Sequence, residues 1–197
     1  MNRKFSNKFH SHWVKVKFYN EIPDSNNYKK PTGIRFCQAV NQAILHPVIL
    51  TKEGISCPGA RYVFGLEDNT EDIIKFWQGK RGVSKKIAQT ILKKVAKLKE
   101  PFNCIGLNSD DEPDLLVSYL TPEDAMDVLA IYHNYNGEIL NFDISSVMTI
   151  CGNIAVKTFL DHKLNISFGC DEARNHGNIG RERLAIGIPR GLCDIFI

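Results

Sequence analysis

The sequence is poor in the features that make a function easy to read. No stretch approaches the ~18 apolar residues of a membrane-spanning helix, and residues 1–17 are polar and basic, without the apolar run of a secretory signal. A cytoplasmic protein with no membrane partner is therefore expected. No proline-, glycine- or serine-rich tract divides the chain, so one domain over residues 1–197 is expected, with a basic arm at 1–12. Net charge is only +3, which weighs against nucleic acid as the principal partner. There is no nucleophile elbow, phosphate loop, dinucleotide fingerprint or His-Glu-x-x-His stretch. There are no close Cys-x-x-Cys pairs either, which excludes the usual zinc-ribbon and ferredoxin spacings.

What is present is ordinary globular material, 43% hydrophobic and 24% charged, with enough apolar content for a sizeable core. Alternation predicts a strand over 14–18, and short apolar runs predict strands over 48–50, 104–107, 115–120, 138–142, 164–168 and 184–188. Helical spacing predicts helices over 34–45, 72–78, 83–98 and 147–159. The third of these carries Lys85, Lys86, Lys93, Lys94, Lys97 and Lys99 on its polar side and stops at Pro101. No aromatic residues interleave with those lysines, so a solvated face explains them better than a nucleic-acid platform. Thr121-Pro122-Glu123-Asp124 is a helix start: a cap, a proline at the first position, then acids that suit the dipole. Interleaved helices and strands predict an α/β fold with a mixed sheet.

The chain has six cysteines, and in a reducing compartment they are thiols, ligands or packing rather than disulfides. Four of them fall in two copies of one pattern. Cys37 begins a helix, Val48-Ile49-Leu50 follows, and then comes Cys57-Pro58-Gly59-Ala60-Arg61. Cys151 begins a helix, Leu164 to Phe168 follows, and then comes Cys170-Asp171-Glu172-Ala173-Arg174. Two units of this kind can bury their apolar faces against each other about a pseudo-twofold axis. Two pseudo-symmetric helix–strand halves, each with a cysteine pair, would then bring four thiols together.

Four thiolates are what a tetrahedral Zn²⁺ or an iron–sulfur cluster requires. The wide ligand spacing favours a [4Fe–4S] cluster held between the halves, with zinc as the second choice. Structural cysteines and a redox-active thiol pair are the competing readings. Arg61 and Arg174 sit at the same place in each copy, where a cation would stabilise thiolate or hold an anionic ligand. His176 is a further candidate ligand or proton carrier beside Arg174, against the commoner role of a turn residue. Cys104 and Cys193 lie outside the pattern and are expected to be core filler.

The functions expected are electron transfer with a redox partner protein, or cluster or metal handling. A small-molecule module binding an anionic ligand at Arg61 and Arg174 is the alternative. A nucleic-acid binder using the basic arm and the lysine helix is the third. A homodimer is the default oligomer.

Several segments together resemble a known family. They are Arg35-Phe36-Cys37-Gln38-Ala39-Val40, Ser56-Cys57-Pro58-Gly59-Ala60-Arg61-Tyr62-Val63-Phe64-Gly65-Leu66, Cys151 at its helix start, Ser167-Phe168-Gly169-Cys170 with Arg174, and Glu182-Arg183-Leu184-Ala185-Ile186-Gly187-Ile188-Pro189. In this order the chain is similar, over about 14–189, to domain of unknown function 169 of archaea and bacteria. The resemblance implies a single-domain cytoplasmic protein in which Cys37, Cys57 and the Cys-Pro-Gly-Ala element are typical features. It implies no activity.

Overall fold

The structure is a computed structural model that describes residues 13–24, 27–100 and 102–197. The basic arm and the stop at Pro101 lie outside the described residues. Strands β1 (Val14–Tyr19), β2 (Val48–Thr51), β3 (Cys104–Leu107), β4 (Leu115–Leu120), β5 (Asn165–Ser167) and β6 (Leu184–Pro189) form one sheet in the order β2-β3-β1-β4-β6-β5. Its pairings are all antiparallel rather than mixed.

The order explains the sequence repeat. β1 and β4 pair at the centre, with Val14 opposite Val117 and Val16 opposite Leu115. β3 and β6 flank them, and β2 and β5 form the two edges. Rotation about an axis between β1 and β4 therefore carries β1, β2 and β3 onto β4, β5 and β6. The counterpart of β1 is β4. The strand expected over 138–142 as that counterpart does not form. Gly137, with φ +67, closes the preceding helix, and the chain then crosses from one face of the sheet to the other. Leu140 and Phe142 pack on one side while Val147 and Met148 join the core on the opposite side. Their alternation with exposed Ile139 looks like a strand, but the sheet continues at β5 instead.

Eight-residue α1 (Phe36–Ala43), α2 (Pro58–Val63), α3 (Glu71–Arg81) and α4 (Lys85–Leu92) lie in the first half. The second half carries α5 (Pro122–Asn136), a π-helix (Thr149–Val156) that runs on as α6 (Lys157–Asp161), α7 (Asp171–His176) and terminal α8 (Cys193–Phe196). Thr121 caps α5 as expected, its hydroxyl accepting from the Asp124 amide at 3.1 Å. The lysine helix is shorter than its pattern. It stops at Leu92 because the chain turns away to let the Leu98 amide donate to the Val63 carbonyl at 2.9 Å. The buried residues are Ala88 and Leu92, and Ile87 stays exposed.

Side-chain alternation divides the sheet into two faces. Val14, Val16, Phe18, Leu115, Val117 and Tyr119 point into the larger core, under α1, α2, α3, α7 and the π-helix. Trp13, Leu116, Leu120, Ile186 and Ile188 meet α5 and α8 on the opposite face. In the larger core Phe36 packs edge-on to Phe64 at 5.0 Å between ring centres, and Phe18 stacks on Phe102 at 4.7 Å. Phe18, Phe36 and Phe64 are buried, and each contributes about 1.5–3 kcal/mol from area alone. No helix among the described residues is long and apolar enough to cross a membrane.

Candidate functional site

Four of the helical segments on the larger-core face begin beside one cavity of about 320 Å³. Each brings a cysteine at or near its first turn. Cys57 is the residue before α2, where Pro58 at the first helical position costs no hydrogen bond. Cys170 stands in the same place before α7, its amide donating to Thr149 Oγ1 at 2.8 Å. Cys37 is the second residue of α1 and Cys151 the third of the π-helix. All four line the cavity. Cys37 and Cys151 are buried, and Cys57 and Cys170 are partly exposed.

Two glycines make this convergence sterically possible. A Cβ on Gly177 would lie 2.8 Å from Cys37 Cβ and 3.2 Å from its Sγ, so a side chain there would push α1 from α7. A Cβ on Gly59 would meet Met148 Cγ at 3.0 Å. Met148 itself takes a left-handed conformation, φ 49, at the entry to the π-helix. Unusual backbone and π-helical turns of this kind are concentrated at functional sites.

The thiols feel their surroundings and one another. Burial, reinforced by the neighbouring Cys170 and Cys57, pushes the Cys37 thiol up to about 12. Burial raises Cys151 well above its ordinary value, with Cys57, Cys170 and Cys37 adding to it. Burial also raises Cys57, although the Ala60 and Gly59 amides at the start of α2 oppose it. These three are thus neutral thiols at neutral pH unless a cation displaces their protons. Among the described residues no group of three or more His, Cys, Asp or Glu side chains is gathered tightly enough to hold a single metal ion.

The two arginines singled out by the repeat are not at the cavity. Arg61 turns to Glu67, with Nε 2.8 Å from the carboxylate. Arg174 donates to the carbonyls of Gly180, Arg181, Arg183 and Phe168, stapling the turn before β6. Its guanidinium is consumed by the backbone, a structural use that spacing does not reveal. His176 ends α7 with Nε2 3.5 Å from Glu172 and does not line the cavity.

The charged residues that do line it are Arg35, Asp72, Arg81 and Glu172. Glu172, at the first turn of α7, pairs with Arg35 at 2.8 Å and with Lys80, whose ammonium chiefly holds its carboxyl below the ordinary range. Arg81 reaches Asp171 at 3.0 Å and the Ser146 carbonyl at 3.3 Å. The end of α3 is thereby tied to the start of α7. Ile73, Phe76 and Trp77 of α3 supply an apolar wall facing the cysteine-bearing helix starts. The sequence hint for this wall was the pairing of Ile73 and Ile74 with Trp77 on one helical face. α3 has no counterpart in the second half, so the repeat was silent about it.

The family described as uncharacterised ArCR, DUF169, matches residues 7–196. No curated protein and no solved structure matches the chain.

Proposed function

The chain belongs to the DUF169 family of uncharacterised proteins, and we propose that it is a metalloprotein whose Cys37, Cys57, Cys151 and Cys170 hold a [4Fe–4S] cluster. One observation carries this reading: four of the six cysteines, from four separate helical segments, line the same cavity. The donor set fits the group. Four soft thiols in a largely apolar pocket suit iron and sulfide, and the cluster bears its thiolates on separate irons.

Zinc is the second candidate and fits the spacing less well. Four sulfurs about 2.3 Å from one ion must lie within about 3.8 Å of each other, and no such tight group exists among the described residues. A bound cluster would supply reversible one-electron storage. The chain's own part is to ligate it, to keep water from it with Phe36, Ile150 and Met148, and to oppose its negative charge with backbone amides at the helix starts. Electron exchange with a redox partner protein, or cluster or metal handling, is the role that follows, in a cytoplasmic setting that keeps thiols reduced.

The test is iron, sulfide and zinc content, with the visible spectrum, of protein purified without oxygen. About four irons and four sulfides per chain are expected. Cys37→Ser and Cys151→Ser should lose them, while Cys104→Ser and Cys193→Ser keep them. A folded protein that takes up no iron on reconstitution, or Cys37→Ser and Cys151→Ser variants that retain full content, would overturn the reading.

A further inference from the structure

We infer that the outer surface of α3 and α4 docks an acidic electron-carrier protein, with lysines and the exposed Phe76 and Ile87 as its contacts. The inference rests on the cluster reading for what the partner exchanges, and it uses a surface outside the cavity. Nine of the chain's 25 lysines and arginines, and none of its 22 acids, fall within residues 73–99. This segment therefore carries +9, and the rest of the chain, with 16 cations against 22 anions, carries −6. Ion pairs within the protein account for Lys80, Arg81 and Lys97. Lys75, Lys85, Lys86, Lys93, Lys94 and Lys99 are exposed and have no ion pair among the described residues. Like charges gathered without counter-charges repel one another, and an oppositely charged surface relieves that repulsion.

The repeat does not require these helices. β5 reaches β6 through α7 alone, whereas β2 reaches β3 through α2, α3 and α4. The additional helices are placed beside the cavity, which Ile73, Phe76 and Trp77 of α3 line. Phe76 also stays 46% exposed, so a partner seated on α3 is separated from the cavity's contents by one side chain. On α4, Ile87 is 55% exposed. Apolar side chains among cations suit a protein contact, which has an apolar centre and a polar rim. A phosphate backbone uses the cations alone. Phe76 is also the one exposed ring of residues 73–99, too few for nucleic-acid bases to stack on. An acidic carrier is drawn to this face by charge, and the encounter is fast. One electron then passes between the carrier's redox group and the cluster's irons, oxidising one and reducing the other, with no bond made or broken.

The experiment titrates the full chain, in metal-free and iron-loaded forms, with flavodoxin, an acidic one-electron carrier, and with cytochrome c, a basic one. Biolayer interferometry gives the affinities, and stopped-flow absorbance gives the electron-transfer rate of the iron-loaded form. Saturable flavodoxin binding to both forms is expected, about tenfold weaker at ~200 mM than at ~20 mM salt, with cytochrome c binding far more weakly. The double variant Lys85→Glu, Lys86→Glu should weaken flavodoxin binding about tenfold or more and slow electron transfer with it. The equally charged control Lys52→Glu, Lys163→Glu, on exposed lysines beside the edge strands β2 and β5, should change it by less than about twofold. Ile87→Ser should weaken it about fivefold. Iron content should be the same in all variants. Binding to the metal-free chain decides the docking surface even if no iron is taken up, so its failure is distinguishable from failure of the cluster reading. The proposal is overturned if flavodoxin binds neither form, if the two double variants weaken it equally, or if a DNA duplex or vesicles of anionic lipid bind as tightly as flavodoxin.

Discussion

Substituting Gly177 by alanine perturbs the site from behind without touching a ligand. The backbone there has φ −83, which alanine adopts freely, so any cost is steric. The new methyl would lie 2.6 Å from the Ala173 carbonyl oxygen and 2.8 Å from Cys37 Cβ. Neither neighbour is the free end of a flexible chain: one is backbone, the other is anchored at the start of α1. The first contact is eased only by distorting the turn that ends α7, and the second only by moving α1 away by several tenths of an ångström. Overpacking of this kind costs about 1–3 kcal/mol. For a chain of this length about 2 kcal/mol lowers the melting temperature by about 4–8 °C. Because the displaced element carries Cys37, bound iron per chain should fall with it.

Gly79→Ala is the matched control. Gly79 lies within α3 with nothing within 4 Å of its would-be methyl, so alanine there should raise stability by about 0.5–1 kcal/mol through helix propensity. Differential scanning calorimetry and iron analysis of both variants are the assay. A Gly177→Ala protein that melts like the parent and binds the same iron would refute the steric account of how the cysteines converge.

Two further outcomes follow from groups outside the cavity. Burial pushes the Cys193 thiol up to about 12 from an ordinary value of 9.0. The folded state therefore favours the protonated form, and this contribution is whole below pH 9 and lost as pH rises toward 12. By pH 11 the loss amounts to about 2–3 kcal/mol. Chemical denaturation of the metal-free protein at pH 8 and pH 11 should show a larger fall than in Cys193→Ala, and equal falls would contradict it. Arg174→Lys exchanges a fork that reaches four carbonyls for a single ammonium and should cost about 2 kcal/mol in urea melts. Its iron content should match the parent, because the residue serves the turn before β6 and not the cavity.

The repeat that unites Cys37, Cys57, Cys151 and Cys170 was visible in the sequence because each copy keeps the same order of helix, short strand and cysteine before a helix. The strands at 48–50 and 164–168 were visible for the same reason, as apolar runs bounded by polar turns. Which strand began the second copy was not visible. β4 is separated from β5 by α5, and α5 lies on the opposite face of the sheet, so proximity along the chain pointed to 138–142 instead. Symmetric placement of Arg61 and Arg174 says where each Cα sits and not what the guanidinium meets. Arg35 and Arg81 are not legible in the sequence because their roles depend on ion pairs with the start of α7, made across 137 and 90 positions of the chain. The apolar periodicity of the lysine helix persists through 95 and 98, but the helix ends at Leu92 and the Leu98 amide donates to the Val63 carbonyl instead.

The pseudo-twofold layout has a consequence for the chain as a polymer. The first half owns Cys37 and Cys57, the second owns Cys151 and Cys170, and neither holds a complete set. Any group bound to all four acts as a cross-link between segments about ninety or more residues apart, and closing so long a loop removes several kcal/mol of freedom from the unfolded ensemble. Loading the cavity would then slow proteolysis across the entire sheet, at β2 and β5 alike, and unloading it would release both edges together.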